Sequence, residues 1–161
     1  MRKISNLKAT PEGYHSVTPY LFIKGAAGAI EFYKNVFGAT EAMRMPGPDG
    51  RVMHAELRFG DSVVMLSDEN QHAGALSPQS IGGTAGGLNV YVTDVDAVVR
   101  KAVEGGAKLV RQVKDQFYGD RSGSIIDPFG HMWSVATHVE DVAPEEMRRR
   151  AATAMSQATG A

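Results

Sequence analysis

His54 and Glu56 stand two residues apart in Val52-Met53-His54-Ala55-Glu56-Leu57-Arg58-Phe59, a segment whose alternation predicts a β-strand. Met53, Ala55, Leu57 and Phe59 form an apolar row suited to packing on helices, which leaves Val52, His54, Glu56 and Arg58 on the other face. A carboxylate beside an imidazole fixes the ring tautomer and raises its basicity, so the pair could do general acid/base chemistry, such as proton abstraction next to a carbonyl. The same residues also suit a solvated sheet face with Arg58 as a charge neighbour of Glu56. As metal ligands they would need two further donors, and His15 and His138 are the nearest candidates in the sequence.

A second chemically rich run is Gln116-Phe117-Tyr118-Gly119-Asp120-Arg121. It suits a lid or cleft rim in which Tyr118 stacks on a planar ligand. It equally suits a bulged turn in which Asp120 holds the backbone and Arg121 makes a structural ion pair. Of the other histidines, His72 falls in a polar loop and His131 in a turn, where exposure and packing are the respective expectations. Arg148-Arg149-Arg150 reads as the solvated face of a helix.

The elements that position these groups come as a repeat. Tyr20-Leu21-Phe22-Ile23, then a helix with Ala29, Ile30, Tyr33, Val36 and Phe37 at helical spacing, then Gly38-Ala39, is echoed later. The echo is Asn89-Val90-Tyr91-Val92, a helix with Val95, Val98, Val99, Ala102 and Val103, then Gly106-Ala107. Three strand-like runs follow each helix: 39–45, 52–59 and 62–67, then 108–113, 122–126 and 132–137. The expected fold is α+β, two βαβββ modules forming a mixed curved sheet, with a C-terminal helix opening at Pro144-Glu145-Glu146. The organisation is a loose tail over 1–13, a domain over 14–140 and a helix and tail over 141–161. Within the domain, module one spans 14–81, a glycine-rich linker 82–87 and module two 88–140.

With 161 residues there is room for one sizeable core. Lys and Arg total 17 against 18 Asp and Glu, so no electrostatic drive toward nucleic acid or an anionic membrane surface is expected. No apolar run has the length of a membrane span. There are no cysteines, which removes disulfides and thiolate chemistry and fits a cytoplasmic setting.

Thr18-Pro19-Tyr20-Leu21-Phe22-Ile23 with Ala29-Ile30-Glu31-Phe32-Tyr33-Lys34-Asn35-Val36-Phe37-Gly38 resembles the opening module of the glyoxalase/bleomycin-resistance/extradiol-dioxygenase (vicinal oxygen chelate) superfamily. Asp94-Val95-Asp96-Ala97 and Asp127-Pro128-Phe129-Gly130-His131 resemble its second module, and 117–123 its PhnB-like branch. The resemblance implies a cleft in which metal-dependent relatives place four His, Glu or Gln ligands, two on first strands and two on last strands. Carried over by position, these fall on Thr18, Met65, Gly87 and Ser134, none of which is a suitable ligand, so no cofactor is expected.

Strand parity turns Thr18, Tyr20, Phe22 and Met65 of the first module toward a ligand. In the second module it turns Asn89, Tyr91 and Ser134 the same way, with Met132, Ala136 and His138 on the Ser134 row and Trp133 opposite, in the core. With Tyr118 these make an aromatic, thioether-containing lining of the kind small-molecule pockets have. The resulting expectation is a bleomycin-resistance-like protein that binds a small hydrophobic or aromatic molecule, as a homodimer by the resemblance. The alternative is a glyoxalase-like lyase or isomerase, dependent on a divalent metal through rebuilt ligands or metal-free with His54 and Glu56 as acid and base. A methyltransferase is disfavoured, since the chain lacks a βαβ glycine-rich cofactor turn.

Overall fold

The computed structural model describes residues 8–159. The first seven residues of the expected tail, and the last two of the chain, lie outside the described residues. The chain divides between Ile81 and Gly82 into two compact units. The first carries β1 (Tyr20–Ile23), α1 (Ala26–Phe37), β2 (Thr40–Pro46), β3 (Val52–Phe59), β4 (Ser62–Asp68) and a one-turn α2 (Pro78–Ile81). The second carries β5 (Gly87–Tyr91), α3 (Val95–Glu104), β6 (Lys108–Asp115), β7 (Asp120–Ile126), β8 (Met132–His138) and α4 (Pro144–Thr159). Each unit is thus βαβββ, and each folds into a four-stranded mixed sheet, ordered β1-β4-β3-β2 and β5-β8-β7-β6. The first and last strands of each module run parallel, and the other pairs are antiparallel.

Alternation decides which face is covered. In β1, Leu21 and Ile23 are buried whereas Tyr20 and Phe22 are exposed. Leu21 and Ile23 join Ala29, Ile30 and Tyr33 of α1 and Ala55, Leu57 and Leu66 of the sheet among the buried residues of the first unit. Val95, Val99 and Ala102 of α3 with Ile125, Trp133 and Val135 do the same in the second. Trp133 is therefore core, as its parity predicts.

Three acidic side chains tie the helices and turns to the sheets. Gly25 caps α1 and has no side chain to offer, so Asp68 of β4 supplies the acceptor instead. Its Oδ1 takes the N–H groups of Gly25 and Ala26, each at 3.0 Å, and its Oδ2 takes that of Val52 at 2.7 Å. Asp94 caps α3 directly by accepting from the Ala97 N–H at 2.9 Å. Asp127 accepts from the backbone of Phe129 and His131 and from Trp133 Nε1, at 2.9 to 3.0 Å, which locks the turn before β8.

Two expectations need correction. Val52 does not share the His54 row: Met45 pairs with His54 but the next residue, Pro46, pairs with Val52, so Met53 is an extra residue in the ladder. This bulge breaks the alternation, burying Val52 and exposing Met53. Arg150 is not merely solvated. It forms paired hydrogen bonds at 2.8 Å to Glu140 and a further one at 2.7 Å to Glu146, and it reaches the Phe117 carbonyl at 3.5 Å. The guanidinium fork thereby fastens α4 to the loop between β6 and β7.

Candidate functional site

On the face of the first sheet opposite α1, register lines up Tyr20, Met65, Glu56 and Met43 across β1, β4, β3 and β2. Beside them lie Phe22, cross-strand from Ser67, and His54, cross-strand from Met45. Tyr20 packs against Phe22 with ring centroids 5.3 Å apart and against His54 at 5.5 Å. Tyr20, Phe22, His54, Glu56 and Met65 are therefore brought together. Thr18 precedes the strand, and its hydroxyl is turned onto the His15 carbonyl at 3.4 Å.

The polar atoms form one chain. The Tyr14 hydroxyl donates to Glu56 Oε2, Glu56 Oε1 lies 3.2 Å from His54 Nε2, and His54 Nδ1 lies 2.9 Å from the Tyr20 hydroxyl. The Tyr14 hydrogen bond, with help from His54 and the nearby Arg58 charge, holds the Glu56 carboxyl below the usual carboxylate range against the opposing pull of burial. The same bond raises the Tyr14 phenol. Tyr14 lies in an irregular segment, so no periodicity could have announced it. At the end of this sheet a cavity of about 380 Å³ is bounded by Met53, Ser67, Asp68 and Arg51, adjoining the Phe22 position through Ser67.

In the second unit, Asn89 pairs with Ser134 and Tyr91 with Ala136, on the face opposite α3. The Tyr91 hydroxyl donates to Asp120 Oδ2 at 3.0 Å, while Asp120 Oδ1 lies 2.7 Å from His138 Nδ1. His138 Nε2 faces Asp141 at 2.9 Å. Hydrogen bonds to Asp120 and then Asp141 raise the His138 pKa, and the bond to Asp120 raises that of Tyr91. Tyr118 stacks edge-on against Phe117 at 5.2 Å, in the loop preceding Asp120. Arg121 takes the structural role, bridging Asp96 at 2.7 Å and Asp115 at 3.1 Å. Asp120 does more than hold a turn: β7 begins two residues earlier than alternation alone suggests, which places Asp120 on the face of Ser122 and Ser124.

The four positions to which the sequence resemblance carries metal ligands hold a hydroxyl, a thioether, a glycine and a second hydroxyl in Thr18, Met65, Gly87 and Ser134. Such a donor set does not suit a divalent ion. Nor do His54 and Glu56 assemble a replacement: among the described residues no three His, Asp or Glu groups are placed to hold a metal.

The family profile of the glyoxalase/bleomycin resistance protein/dioxygenase superfamily matches residues 13–135. The chain belongs to this superfamily. Among its relatives is the Mycobacterium bovis protein Mb0911c, 43% identical over 136 residues, which are 83% of this chain and 90% of that protein. The Arabidopsis thaliana At5g48480 product has a solved structure with TM-score 0.61 and 27% identity, covering 76% of this chain and 98% of that one. TioX from Micromonospora sp. ML1 (TM-score 0.60, 23% identity, 80% and 100% covered) shares the fold. So does the PhnB protein from Bacillus cereus (0.60, 19%, 76% and 99%). At these identities the last two likenesses concern the fold alone. No helix among the described residues is long and apolar enough to cross a membrane.

Proposed function

We propose that this superfamily member binds a small hydrophobic or aromatic molecule against the sheet face carrying Tyr20, Phe22 and Met65, without a resident metal ion. The observation that carries the reading is the exposure of large apolar side chains around a polar centre. Tyr20, Met43 and Met45 are 40%, 41% and 47% exposed on the face where His54 and Glu56 are hydrogen-bonded. Aromatic and thioether groups give adaptable apolar contact, and a few fixed polar atoms orient what lands on them. Asn89, Tyr91, Tyr118 and Ser134 are read as ligand contacts of the second unit taken by itself. We place the protein in the cytoplasm as a homodimer, readings supported by the cysteine-free composition and the family resemblance.

Calorimetric titration with a panel of aromatic and alicyclic compounds tests the reading. Saturable binding weakened about tenfold or more by Phe22→Ser, a loss on the scale of burying one large apolar side chain, is the expected result. No saturable binding by any compound would sink it.

One observation favours a second reading, a metal-free lyase or isomerase. The unbroken run Tyr14–Glu56–His54–Tyr20 supports acid/base work at this face. It also alters the roles. A carboxylate with both oxygens engaged and its pKa lowered is a poor base, so Glu56 orients and His54 accepts.

A further inference from the structure

We infer that Tyr20 is the catalytic residue of this face, passing a proton between a bound carbonyl compound and His54, with Glu56 and Tyr14 as positioning residues. The inference rests on the second reading above. Its basis is the direction of each hydrogen bond. Ionised Glu56 can only accept, so His54 Nε2, at 3.2 Å from Oε1, carries the proton. In a neutral ring Nδ1 is then the acceptor, and the Tyr20 hydroxyl at 2.9 Å is the donor. Among the described residues no group donates to the Tyr20 oxygen, which leaves its lone pairs for a ligand. The burial order agrees: the Glu56 side chain is the least accessible at 11%, that of His54 reaches 22%, and Tyr20 is exposed. A molecule lying on Phe22, Met43 and Met65 thus meets the tyrosine oxygen before the imidazole. The arrangement follows the hydroxyl–imidazole–carboxylate logic of activated nucleophiles, with a phenol in the hydroxyl place.

The step balances without an oxidant or reductant. A C–H bond next to the carbonyl breaks and its proton goes to the Tyr20 oxygen as the Tyr20 proton passes to His54 Nδ1. The electron pair moves onto the carbonyl oxygen as an enolate, and the new imidazolium faces the Glu56 carboxylate. Reversal at the same carbon gives hydrogen exchange; where a carbon–carbon double bond lies β,γ to the carbonyl, the dienolate can instead take the proton at its γ-carbon, which gives isomerisation. The surrounding aromatics and thioethers select apolar or aromatic carbonyl compounds with an acidic C–H.

Proton NMR in D₂O reads exchange at the α-carbon of phenylpyruvate, phenylacetone and 2-tetralone, with calorimetry on the same probes. Wild type should exchange a bound probe saturably. Tyr20→Phe and His54→Gln should each lower kcat by about 100-fold or more, in line with loss of a general acid/base, while the probe Kd moves less than about threefold. Glu56→Gln and Tyr14→Phe should lower kcat less. Nitrogen-15 NMR of histidine should show His54 Nδ1 unprotonated. The inference is overturned if bound probes do not exchange, if Tyr20→Phe retains exchange while His54→Gln loses it, or if Nδ1 bears the proton. Failure of every probe to bind would also overturn this inference, whereas the binding reading falls only if the whole compound panel fails as well.

Discussion

Asp120 holds the His138 ring through a 2.7 Å contact to Nδ1, and its other oxygen accepts the Tyr91 hydroxyl at 3.0 Å. Glu56 does the corresponding thing in the first module, joining Tyr14 to His54. In each module a largely buried carboxylate on the third strand links a tyrosine to a histidine. The partners come from different places: His54 is on the same strand as Glu56, whereas His138 is on the neighbour of the Asp120 strand. The two networks also end differently. The far nitrogen of His54 meets a hydroxyl, and that of His138 meets a second carboxylate, Asp141. A ring facing two acceptors can donate to both only when protonated.

That difference gives His138 a pH signature. Its folded pKa is raised by Asp120 and Asp141, so its contribution to stability is fully present below the unfolded histidine value of about 6.5 and is lost as pH rises through the higher folded value. Denaturant melts of wild type and His138→Asn across pH 5 to 9 should show the largest stability gap on the acidic side and convergence on the alkaline side. A gap independent of pH would show that the ring contributes through packing alone.

Ser122 is 2% exposed, and its Oγ has no hydrogen-bond partner among the described residues. Burying an unsatisfied hydroxyl costs about 1–3 kcal/mol, so Ser122→Ala should stabilise the protein. For a chain of this size the melting temperature should rise by roughly 2–12 °C, measured by a thermal melt. A fall of comparable size would mean that an ordered water satisfies the hydroxyl.

Much of this was legible in the sequence, for identifiable reasons. Period-two alternation located β3 at its observed ends and put Tyr20, Phe22, His54, Glu56 and Met65 on one face, because register and parity are local properties. Tyr14 was not legible, since an irregular segment has no period to read. The Met53 bulge was hidden because it arises from pairing with β2. Arg150 looked like a solvated charge because its partner Glu140 lies outside the helix. Each miss concerns a partner brought close by tertiary structure rather than by local spacing.

The donors at Thr18, Met65, Gly87 and Ser134 lead to an expectation about metal. Elemental analysis of protein purified without chelator should find no transition metal at stoichiometric level, and chelation should leave the melting temperature unchanged within about 1 °C, since only a ligand bound to the folded state shifts it. One equivalent of Zn, Ni, Fe or Mn whose removal lowers the melting temperature would show that other residues hold an ion.

Gly119 tests the junction that presents Tyr118 and Asp120. Its carbonyl accepts the N–H groups of Val139 at 2.9 Å and Glu140 at 3.0 Å, which pins the loop between β6 and β7 to the exit of β8. A Cβ placed on Gly119 would sit 2.1 Å from the Glu140 carbonyl oxygen, at a φ of +96° that side chains rarely adopt. Both the backbone clash and the dihedral oppose substitution, so Gly119→Ala should cost about 3 kcal/mol or more in urea melts. Gly60→Ala is the matched control, because its φ is +59° but nothing lies within 4 Å of an added Cβ. It should cost only about 1–2 kcal/mol, the left-handed penalty alone. Equal losses at the two sites would mean that the Gly119–Glu140 approach relaxes freely and does not fix the Tyr118 loop.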